Sequence, residues 1–547
     1  MPTAVPSPQL ELLFVNGHIR RAADDRHPVQ ALGVRGGRIV SAGSNADLRP
    51  LADAATRVID LCGRTVLPAF TDSHTHFHRG AVLRHLFLDF AAIGPRSVAD
   101  VLAAVRGRSA ELPGGTWLQG DSLSPGRLAE GRLPDRHELD GAAGDRPVIL
   151  RGIGKHVVAA NSAALAAAGI DRATADPPGG RIERDRAGEP TGVLHERAKL
   201  RLDTSHPETV VPAAGRAERH EALRAGVREL HRLGITTIHE MVRTPEEVED
   251  LAALHAAGEL DVRVRIFYRV HETPLSLEWL IGLGIRRGRG DDWFRILGVK
   301  ISVDGWCIFR NAAVYEGYLG EPDNLGIMRI EPAELAMLVR RANEHGLGIA
   351  LHAVGGRAVD TALDALAAAG PPVAGPHRLE HAHLDLEARH LDRIRSLGLV
   401  LSAQPAFLPA YRADWARGLS PERIERIMPL ADAHRRGIPL FLNSDFPSGP
   451  IGPLAAIHAA VTRDAGLGHR IGADQAIPRE VAWAAFTSVP ARASGEARAG
   501  SLAIGHQADL IVFEKDPLDE RTDLATLSVS ETMLDGRFVY GTDGVAA

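Results

Sequence analysis

His74 and His76 stand two residues apart in the stretch PAFTDSHTHFH, at the end of a short apolar run. In extended backbone the side chains of residues i and i+2 point the same way, so both imidazoles can face one metal ion. Histidines this close together also occur at strand ends that are merely solvated or hydrogen-bonded. The pair therefore indicates a metal site only if distant parts of the chain supply further ligands.

Four distant segments supply residues of suitable types. Lys300 lies in ILGVKIS, His352 in IALHAVG, His381 in HRLEHAH and Asp445 in PLFLNSDFP. Each residue alone has an ordinary alternative, such as a neutral core histidine, a lysine that snorkels to solvent or a carboxylate that caps a helix. All of them together, each near the end of a candidate strand, favour one cluster with the two histidines.

Neutral imidazole and carboxylate suit a divalent ion, with Zn²⁺ as the default and manganese, iron or cobalt as alternatives. The two cysteines, Cys62 and Cys307, provide neither a disulfide framework nor a cysteine-rich zinc site. Nitrogen and oxygen atoms must therefore hold one or two ions per chain. Two ions that share a water molecule would lower the pKa of that water. Asp445 would take the proton of this water and return it to the leaving group, and His381 would bind metal or polarise the substrate carbonyl.

Lysine is rare in this chain, with only four among 63 basic residues. Burial disfavours the charged form of a lysine, so the neutral amine of Lys300 becomes accessible. A neutral amine reacts with CO₂ to form a carbamate that can bridge two metal ions, and arginine cannot do this. The sequence therefore predicts a carbamate on Lys300, although chance alone could also have left a lysine there.

The elements that must position these residues are short apolar strands that alternate with helices rich in alanine, leucine and arginine. Eight candidate strands can be counted: TVLPAFTD, ITTIHE, VRVRIFY, WFRILGVKISVD, LGIALH, HRLEH, LVLSAQ and IPLFLNSD. Eight strands with helical crossovers predict an α/β fold, a (β/α)₈ TIM barrel whose site lies at the C-terminal strand ends. A doubly wound open sheet is the alternative.

Outside the predicted barrel, residues 66–497, the pattern changes. Residues 1–65 and 498–547 consist of short strands broken by glycine, and neither segment can bury a core alone. We expect them to pair into one small composite β-sandwich. Residues 110–200 are rich in turns and contain a hairpin in GGRIERDRAGEPTGVLHE, which predicts an inserted subdomain between the first and second barrel strands.

The composition is that of an ordinary globular protein, with 45% hydrophobic and 24% charged residues. A formal net charge of −6 gives no basic surface for nucleic acid and no polybasic arm for a membrane. No apolar run approaches the ~18 to 20 residues of a membrane span, and the first residues do not resemble a secretion signal. We expect a cytoplasmic enzyme with a small-molecule substrate.

Five residues are candidate substrate contacts. His156 and Glu196 lie in the predicted insertion, Asp304 and Trp306 follow Lys300, and Gln404 follows the seventh strand. Ordinary alternatives stand beside each of them, since aromatic residues are more often core and Asp304 can simply form an Asp-Gly turn.

The chain resembles the metal-dependent amidohydrolase superfamily and, within it, the YtcJ-like (amidohydrolase 3) branch. LPAFTDSHTH resembles the opening motif of the family, and GGTWLQG and NSAALAAAGI resemble the insertion of this branch. VKISVDG, LHAVGGRAVD, RLEHAHL and NSDFP resemble its later metal-bearing strands, and GSLAIGHQADLIVFEKDP resembles the return to the sandwich. The resemblance covers nearly the whole chain.

The resemblance implies a role for each ligand candidate. His74 and His76 would bind the more buried ion, a carbamylated Lys300 would bridge, His352 and His381 would bind the outer ion, and Asp445 would be both ligand and general base. One departure is His383, where relatives usually carry glutamine; it lies two residues beyond His381 and could compete as a ligand. A homodimer is also expected from the resemblance alone.

The resemblance favours hydrolysis of an amide or related C–N bond, in an N-acyl or N-formyl amine, by a metal-activated hydroxide. The same metal site could instead hydrolyse a lactone, an ester or a cyclic imide, or deaminate its substrate. A decarboxylase in which the metal acts as a Lewis acid is a further alternative, and a binding protein without catalysis ranks last. Fold does not choose among these reactions.

Overall fold

The computed structural model describes residues 10–204, 206, 208–466 and 468–541. The strands in these residues are, in chain order, β1 (Leu12–Val15), β2 (His18–Ile19), β3 (Ala31–Arg35), β4 (Arg38–Gly43), β5 (Arg57–Asp60), β6 (Thr65–Pro68), β7 (Phe70–Thr75), β8 (Leu88–Asp89), β9 (Leu118–Leu123), β10 (Val148–Gly152), β11 (Val157–Ala160), β12 (Gly180–Arg184), β13 (Pro190–Glu196), β14 (Ile235–Val242), β15 (Arg263–Arg269), β16 (Phe294–Ser302), β17 (Gly348–Ala353), β18 (Arg378–His381), β19 (Val400–Ala403), β20 (Leu440–Leu442), β21 (Leu510–Phe513), β22 (Glu531–Leu534) and β23 (Arg537–Tyr540).

The α-helices are α1 (Asn45–Leu48), α2 (Phe77–Leu86), α3 (Phe90–Ile93), α4 (Val98–Glu111), α5 (Arg136–Ala143), α6 (Ser162–Ala168), α7 (Arg216–Arg232), α8 (Pro245–Ala256), α9 (Leu277–Gly282), α10 (Pro332–Glu344), α11 (Gly356–Ala368), α12 (Ala388–Ser396), α13 (Phe407–Gly418), α14 (Pro421–Glu425), α15 (Leu430–Arg435), α16 (Pro453–Thr462), α17 (Arg479–Ala484) and α18 (Ser488–Ala493). The crossover helices are amphipathic. In α11 the buried residues Val359, Ala362, Leu363 and Leu366 follow the i, i+3, i+4, i+7 spacing of one helix face.

Eight parallel strands form one sheet in the order β7, β14, β15, β16, β17, β18, β19, β20. These strands are buried almost throughout, as expected for parallel strands that are covered on both faces. Contacts after β20 close the ring onto β7: the backbone N–H of Asp445 donates to the carbonyl of His74 at 3.0 Å, and Thr75 pairs with Phe446. The eight predicted strands and the predicted barrel are thereby confirmed, and the open sheet is wrong.

Both terminal segments contribute to two further sheets. Strands β4, β3, β1 and β5 form one sheet, and β2, β6, β21, β22 and β23 form the other, so the second sheet contains strands from both ends of the chain. One buried apolar cluster includes Phe14 and Leu32 of the first sheet with Val66, Leu510 and Met533 of the second, so the sheets share a core. Residues 1–9 and 542–547 of the predicted sandwich lie outside the described residues, and the domain boundaries stay predictions.

The segment between the first and second barrel strands carries a sheet of its own. Its six strands lie in the order β12, β13, β11, β10, β9, β8, and β12 pairs with β13 as the predicted antiparallel hairpin. Its first strand, Leu88–Asp89, lies upstream of residue 110, where the sequence analysis places the start of the insertion. The sequence analysis did not detect β8, because this strand is only two residues long and shows no clear strand pattern.

Candidate metal centre

All six predicted metal ligands lie at the C-terminal ends of barrel strands. The backbone brings together His74 in β7, His76 directly after it, Lys300 in β16, His352 in β17, His381 at the end of β18 and Asp445 after β20. This is the end of a (β/α)₈ barrel at which active sites are built. The residues are therefore gathered by the fold although they are spread over much of the chain.

Three of these side chains form a compact donor set. The ligand atoms of His74, His76 and Asp445 all lie within 4.8 Å of one another. The Oδ1 atom of Asp445 is 3.5 Å from Nε2 of His74 and 3.6 Å from Nε2 of His76. Two ligands bound to one tetrahedral zinc ion at its usual bond lengths lie about 3.4 Å apart. The observed spacing fits one divalent ion among these three atoms.

The other three residues surround this donor set. The Nζ atom of Lys300 lies 3.1 Å from Nε2 of His74. The ring centroid of His381 is 5.2 Å from that of His74 and 4.5 Å from that of His352. The six residues therefore form one continuous cluster.

A buried carboxylate orients His74. Oε2 of Glu380 lies 2.6 Å from Nδ1 of His74, and both side chains are buried. Since a carboxylate only accepts, Nδ1–H donates to it and Nε2 is left as the ligand atom. Oε1 of the same carboxylate lies 2.7 Å from Nε of Arg378. Burial would raise the pKa of Glu380, but Arg378 and His74 outweigh burial and hold this pKa well below its usual range.

Oxygen atoms also contact the other three histidines. Oε1 of Gln404 lies 3.0 Å from Nδ1 of His381, and the carbonyl of Met241 lies 3.3 Å from Nδ1 of His76, so Nε2 remains for a ligand bond in both rings. The Nε2 atom of His352 lies 3.3 Å from a backbone carbonyl, which leaves its Nδ1 atom. Such outer contacts fix the tautomer of metal-binding histidines.

Burial shifts the pKa values of the cluster toward the neutral forms. It lowers the pKa of His74 to about 4 and lowers the pKa of His381 well below its usual range, so these imidazoles can bind a cation. Burial lowers the pKa of Lys300 to about 8, which makes the neutral amine accessible. Burial also raises the pKa of Asp445 to about 7, although the charges of Lys300 and Lys155 oppose this rise.

The cluster faces a cavity. His156 and Trp306, two of the predicted substrate contacts, line this cavity. Their rings lie 6.3 Å apart and stack at an angle of 18°, so they form one aromatic wall beside the metal cluster. Their contact with the substrate stays a prediction.

The other three predicted substrate contacts lie behind the cavity wall and support it. Glu196 is buried, accepts from Arg329 and pairs with His156, and Gln404 holds His381. The carboxylate of Asp304 accepts from three backbone N–H groups, those of Ala313, Val354 and Gly355. The sequence analysis missed this geometry because periodicity shows which strand end a residue occupies. It does not show which neighbours form hydrogen bonds with the polar atoms of that residue.

His383, which the sequence analysis considers as a competing ligand, packs among aromatic rings. Its ring centroid lies 5.6 Å from those of Trp306, Phe407 and His381. Burial lowers its pKa to about 3. Its role at the metal stays a prediction.

Charged residues that the sequence analysis did not single out also line the cavity. They are Lys155, Lys199, Asp203, Arg243, Arg269, Glu272 and Arg329. One signal was available, because three of the four lysines in the chain, including Lys300, lie at this cavity. The arginines gave no comparable signal in a chain in which almost every other basic residue is arginine.

Some of the strained backbone positions lie around the same cavity. Lys155, Glu196, Glu272, His381 and Asp445 all have left-handed φ angles, between 47° and 73°. Residues other than glycine rarely adopt this conformation, and such strain tends to gather at functional sites.

Comparison with known proteins places the chain in a family. The model of the amidohydrolase family matches residues 57–540. The chain belongs to this family. The amidohydrolase is 30% identical to N-substituted formamide deformylase of Arthrobacter pascens, over 98% of this chain and 99% of that protein. It is 29% identical to the putative amidohydrolase YtcJ of Bacillus subtilis strain 168, over 97% and 99% of the two chains.

The amidohydrolase is also similar to a solved structure, an uncharacterised metal-dependent hydrolase from Pyrococcus furiosus. The TM-score is 0.70 at 26% sequence identity, and the match covers 93% of this chain and 99% of the other. The resemblance to the amidohydrolases is thereby confirmed at the level of sequence and fold. Among the described residues, no helix of the amidohydrolase has the length and apolar character needed to cross a membrane.

Proposed function

We propose that this amidohydrolase is a metal-dependent enzyme that hydrolyses the amide or a related C–N bond of an N-acyl or N-formyl amine. The observation that carries the proposal is the donor set of His74, His76 and Asp445 within 4.8 Å, at the catalytic end of the barrel. The similarity to a formamide deformylase over nearly the full length supports an amide substrate.

His74, His76 and Asp445 would hold one divalent ion, with Zn²⁺ as the default for this donor set. His352 and His381 would hold a second ion. Lys300, as its carbamate, would lie between the two, and the pKa of about 8 for its amine supports this because CO₂ reacts with the neutral form.

Bound ions would supply Lewis acidity toward the substrate carbonyl and toward a water molecule. Asp445 would accept the proton of the attacking water and deliver it to the leaving amine. His381 would bind metal and lie beside the carbonyl oxygen. The stacked rings of His156 and Trp306 would bind the apolar part of the substrate and exclude water from that side of the cavity.

The proposal is tested by mass spectrometry after incubation of the purified enzyme with a mixed panel. The panel holds N-formyl and N-acyl amines, cyclic imides, lactones and aromatic carboxylic acids, and a chelator-treated sample is the control. Cleavage of an amide with addition of water, stopped by the chelator and restored by Zn²⁺, is the expected result. Loss of CO₂ alone, or cleavage of a lactone or imide but no amide, would refute the proposed bond.

A further inference from the structure

His76 occupies the position directly before α2, where a side chain usually caps the helix. Serine, threonine, aspartate and asparagine are preferred there, because their oxygen atoms accept from the first free N–H groups of the helix. The side chain of His76 makes no such bond, and its Nε2 atom lies 3.6 Å from Oδ1 of Asp445 instead. Since Phe77 and His78 are buried, their N–H groups require an acceptor from another part of the protein.

Glu240, in the neighbouring strand β14, is this acceptor. Its Oε2 atom accepts from the backbone N–H of Phe77 at 2.6 Å, and its Oε1 atom accepts from the backbone N–H of His78 at 3.0 Å. The hydroxyl of Thr75 lies 2.8 Å from Oε2. The carboxylate therefore holds the chain on both sides of His76.

The carboxylate of Glu240 is buried and bonds only to this segment. It forms no ion pair with another described residue, and the positive end of the α2 dipole helps to compensate its charge. Glu240 is not among the residues that line the cavity. Any effect of Glu240 on the metal cluster must therefore pass through residues 75–78.

The pairing between β7 and β14 is irregular at the point where Glu240 acts. Ile238 lies opposite Asp72 and Glu240 lies opposite Thr75, so β7 has one residue more than β14 over this interval. Such a bulge changes the direction of nearby side chains and is common beside active sites. His76 follows the last residue of β7, so strand pairing with β14 does not extend to it. The bonds of Glu240 fix the chain where this pairing ends.

The residue after Glu240 contacts the ring of His76. The carbonyl of Met241 lies 3.3 Å from Nδ1 of His76, which is long for a hydrogen bond. A displacement of residues 75–78 away from β14 by a few tenths of an ångström would break this contact. His76 would then lose the partner that orients its ring and leaves Nε2 for a metal ion.

We infer that Glu240 is a positioning residue for metal binding. Its carboxylate caps α2 in place of the side chain of His76, and this leaves the imidazole free to bind the ion. This role rests on the proposed function, because it requires that His76 is a ligand. It adds a residue that contacts neither the ion nor the substrate.

Glu240→Gln tests this role through the affinity for Zn²⁺, measured by competition with a chromophoric chelator. In either amide orientation the NH₂ group of glutamine faces the N–H of Phe77 or of His78, so one of these bonds is lost. Burial and the charge of Glu247 raise the pKa of Glu240 to about 7, so the measurement is made at pH 8, where the carboxylate is ionised. We expect the affinity to fall about tenfold or more. Glu249→Gln, at an exposed position on α8, is the matched control and should bind Zn²⁺ as the wild type does.

A double-mutant cycle with His76→Ala shows whether Glu240 acts through His76. Because His76→Ala already lacks the ligand, adding Glu240→Gln should change its remaining Zn²⁺ affinity by less than about twofold. An equal fall in both backgrounds overturns the inference. If His76→Ala binds Zn²⁺ as tightly as the wild type, the proposed metal site fails. If His76→Ala binds weakly and Glu240→Gln binds as the wild type does, only the role of Glu240 fails.

Two further measurements separate positioning from stability and do not need the His76→Ala variant. Co²⁺ replaces Zn²⁺, and its visible absorption bands depend on the type and geometry of its ligands. We expect these bands to differ between Glu240→Gln and the wild type, and to be unchanged in Glu249→Gln. Denaturant titration of the metal-free proteins gives the free energy of unfolding. A lowered free energy of unfolding with wild-type Co²⁺ bands and wild-type Zn²⁺ affinity would show that Glu240 only stabilises α2, and would overturn the inference.

Discussion

Replacing Glu380 by glutamine tests whether the buried carboxylate behind His74 sets the metal affinity. Each oxygen of Glu380 has its own partner, His74 at 2.6 Å and Arg378 at 2.7 Å. Glutamine has one oxygen, so in either amide orientation an NH₂ group faces one of these two donors. The imidazole then loses the negative charge that keeps its Nδ1–H in place and makes Nε2 a stronger ligand.

The expected loss of metal affinity is about 10- to 100-fold, the usual effect of changing such an outer partner, or about 1.4 to 2.7 kcal/mol. The exposed fractions of the His74 and Glu380 side chains are 1% and 0%, so solvent and salt do not weaken their interaction, and we expect the upper part of this range.

The assay is competition between the protein and a chromophoric chelator for Zn²⁺ at a fixed pH. Glu344→Gln is the control, because Glu344 is exposed on α10 and should leave the affinity unchanged. Thermal melting of both variants checks that they are folded. A folded Glu380→Gln protein that binds Zn²⁺ within twofold of the wild type would show that His74 does not depend on this carboxylate.

Four further results are expected. At saturating Zn²⁺, Asp445→Asn should keep its bound metal but lose at least about 100-fold in kcat, and a variant that keeps most of its rate would remove Asp445 as the general base. Lys300→Ala should lose at least one metal ion by elemental analysis, and unchanged metal content would exclude a bridging carbamate. Since Asp445 must be deprotonated to bind a cation and its pKa is about 7, affinity for Zn²⁺ should fall about tenfold per pH unit below pH 7; an affinity independent of pH between 7 and 5 would contradict this. Asp304→Ala leaves three buried N–H groups without an acceptor and should lower the free energy of unfolding, measured by denaturant titration, by about 3 kcal/mol or more. Asp323→Ala, at an exposed position, is the control and should leave this free energy unchanged. A raised KM at unchanged stability in Asp304→Ala would instead support contact with the substrate.

The barrel and the ligand cluster were predictable because their signals are local and repeated. Each barrel strand is a short apolar run, and a polar residue at the C-terminal end of such a run must reach the same edge of a parallel sheet. His74, Lys300, His352 and Asp445 were found in this way without knowledge of any contact between them. The lysine at position 300 was informative because the chain otherwise uses arginine.

The cavity wall was not predictable to the same degree, because its charges come from loops and from side chains whose partners are distant in sequence. Arg329 meets Glu196 across 133 residues, and His74 meets Glu380 across 306. No periodicity encodes such pairs. The same reason explains why Glu196, Asp304 and Gln404 were expected at the substrate and lie instead behind the residues that face it.

The donor set lies on the seam at which the barrel closes, and this has a consequence for biosynthesis. Ser444, beside Asp445, bonds to Asp72 across 372 residues, and Asp445 itself bonds to the backbone of His74. During translation, the histidines emerge early, whereas their carboxylate partner is made only after every other barrel strand. The sheet edge that carries the histidines is therefore synthesised first, and the ion-binding pocket is complete only after Asp445 has been added. Metal loading must follow closure of the barrel. A fragment that lacks either end of the barrel would have neither the closed ring nor the pocket.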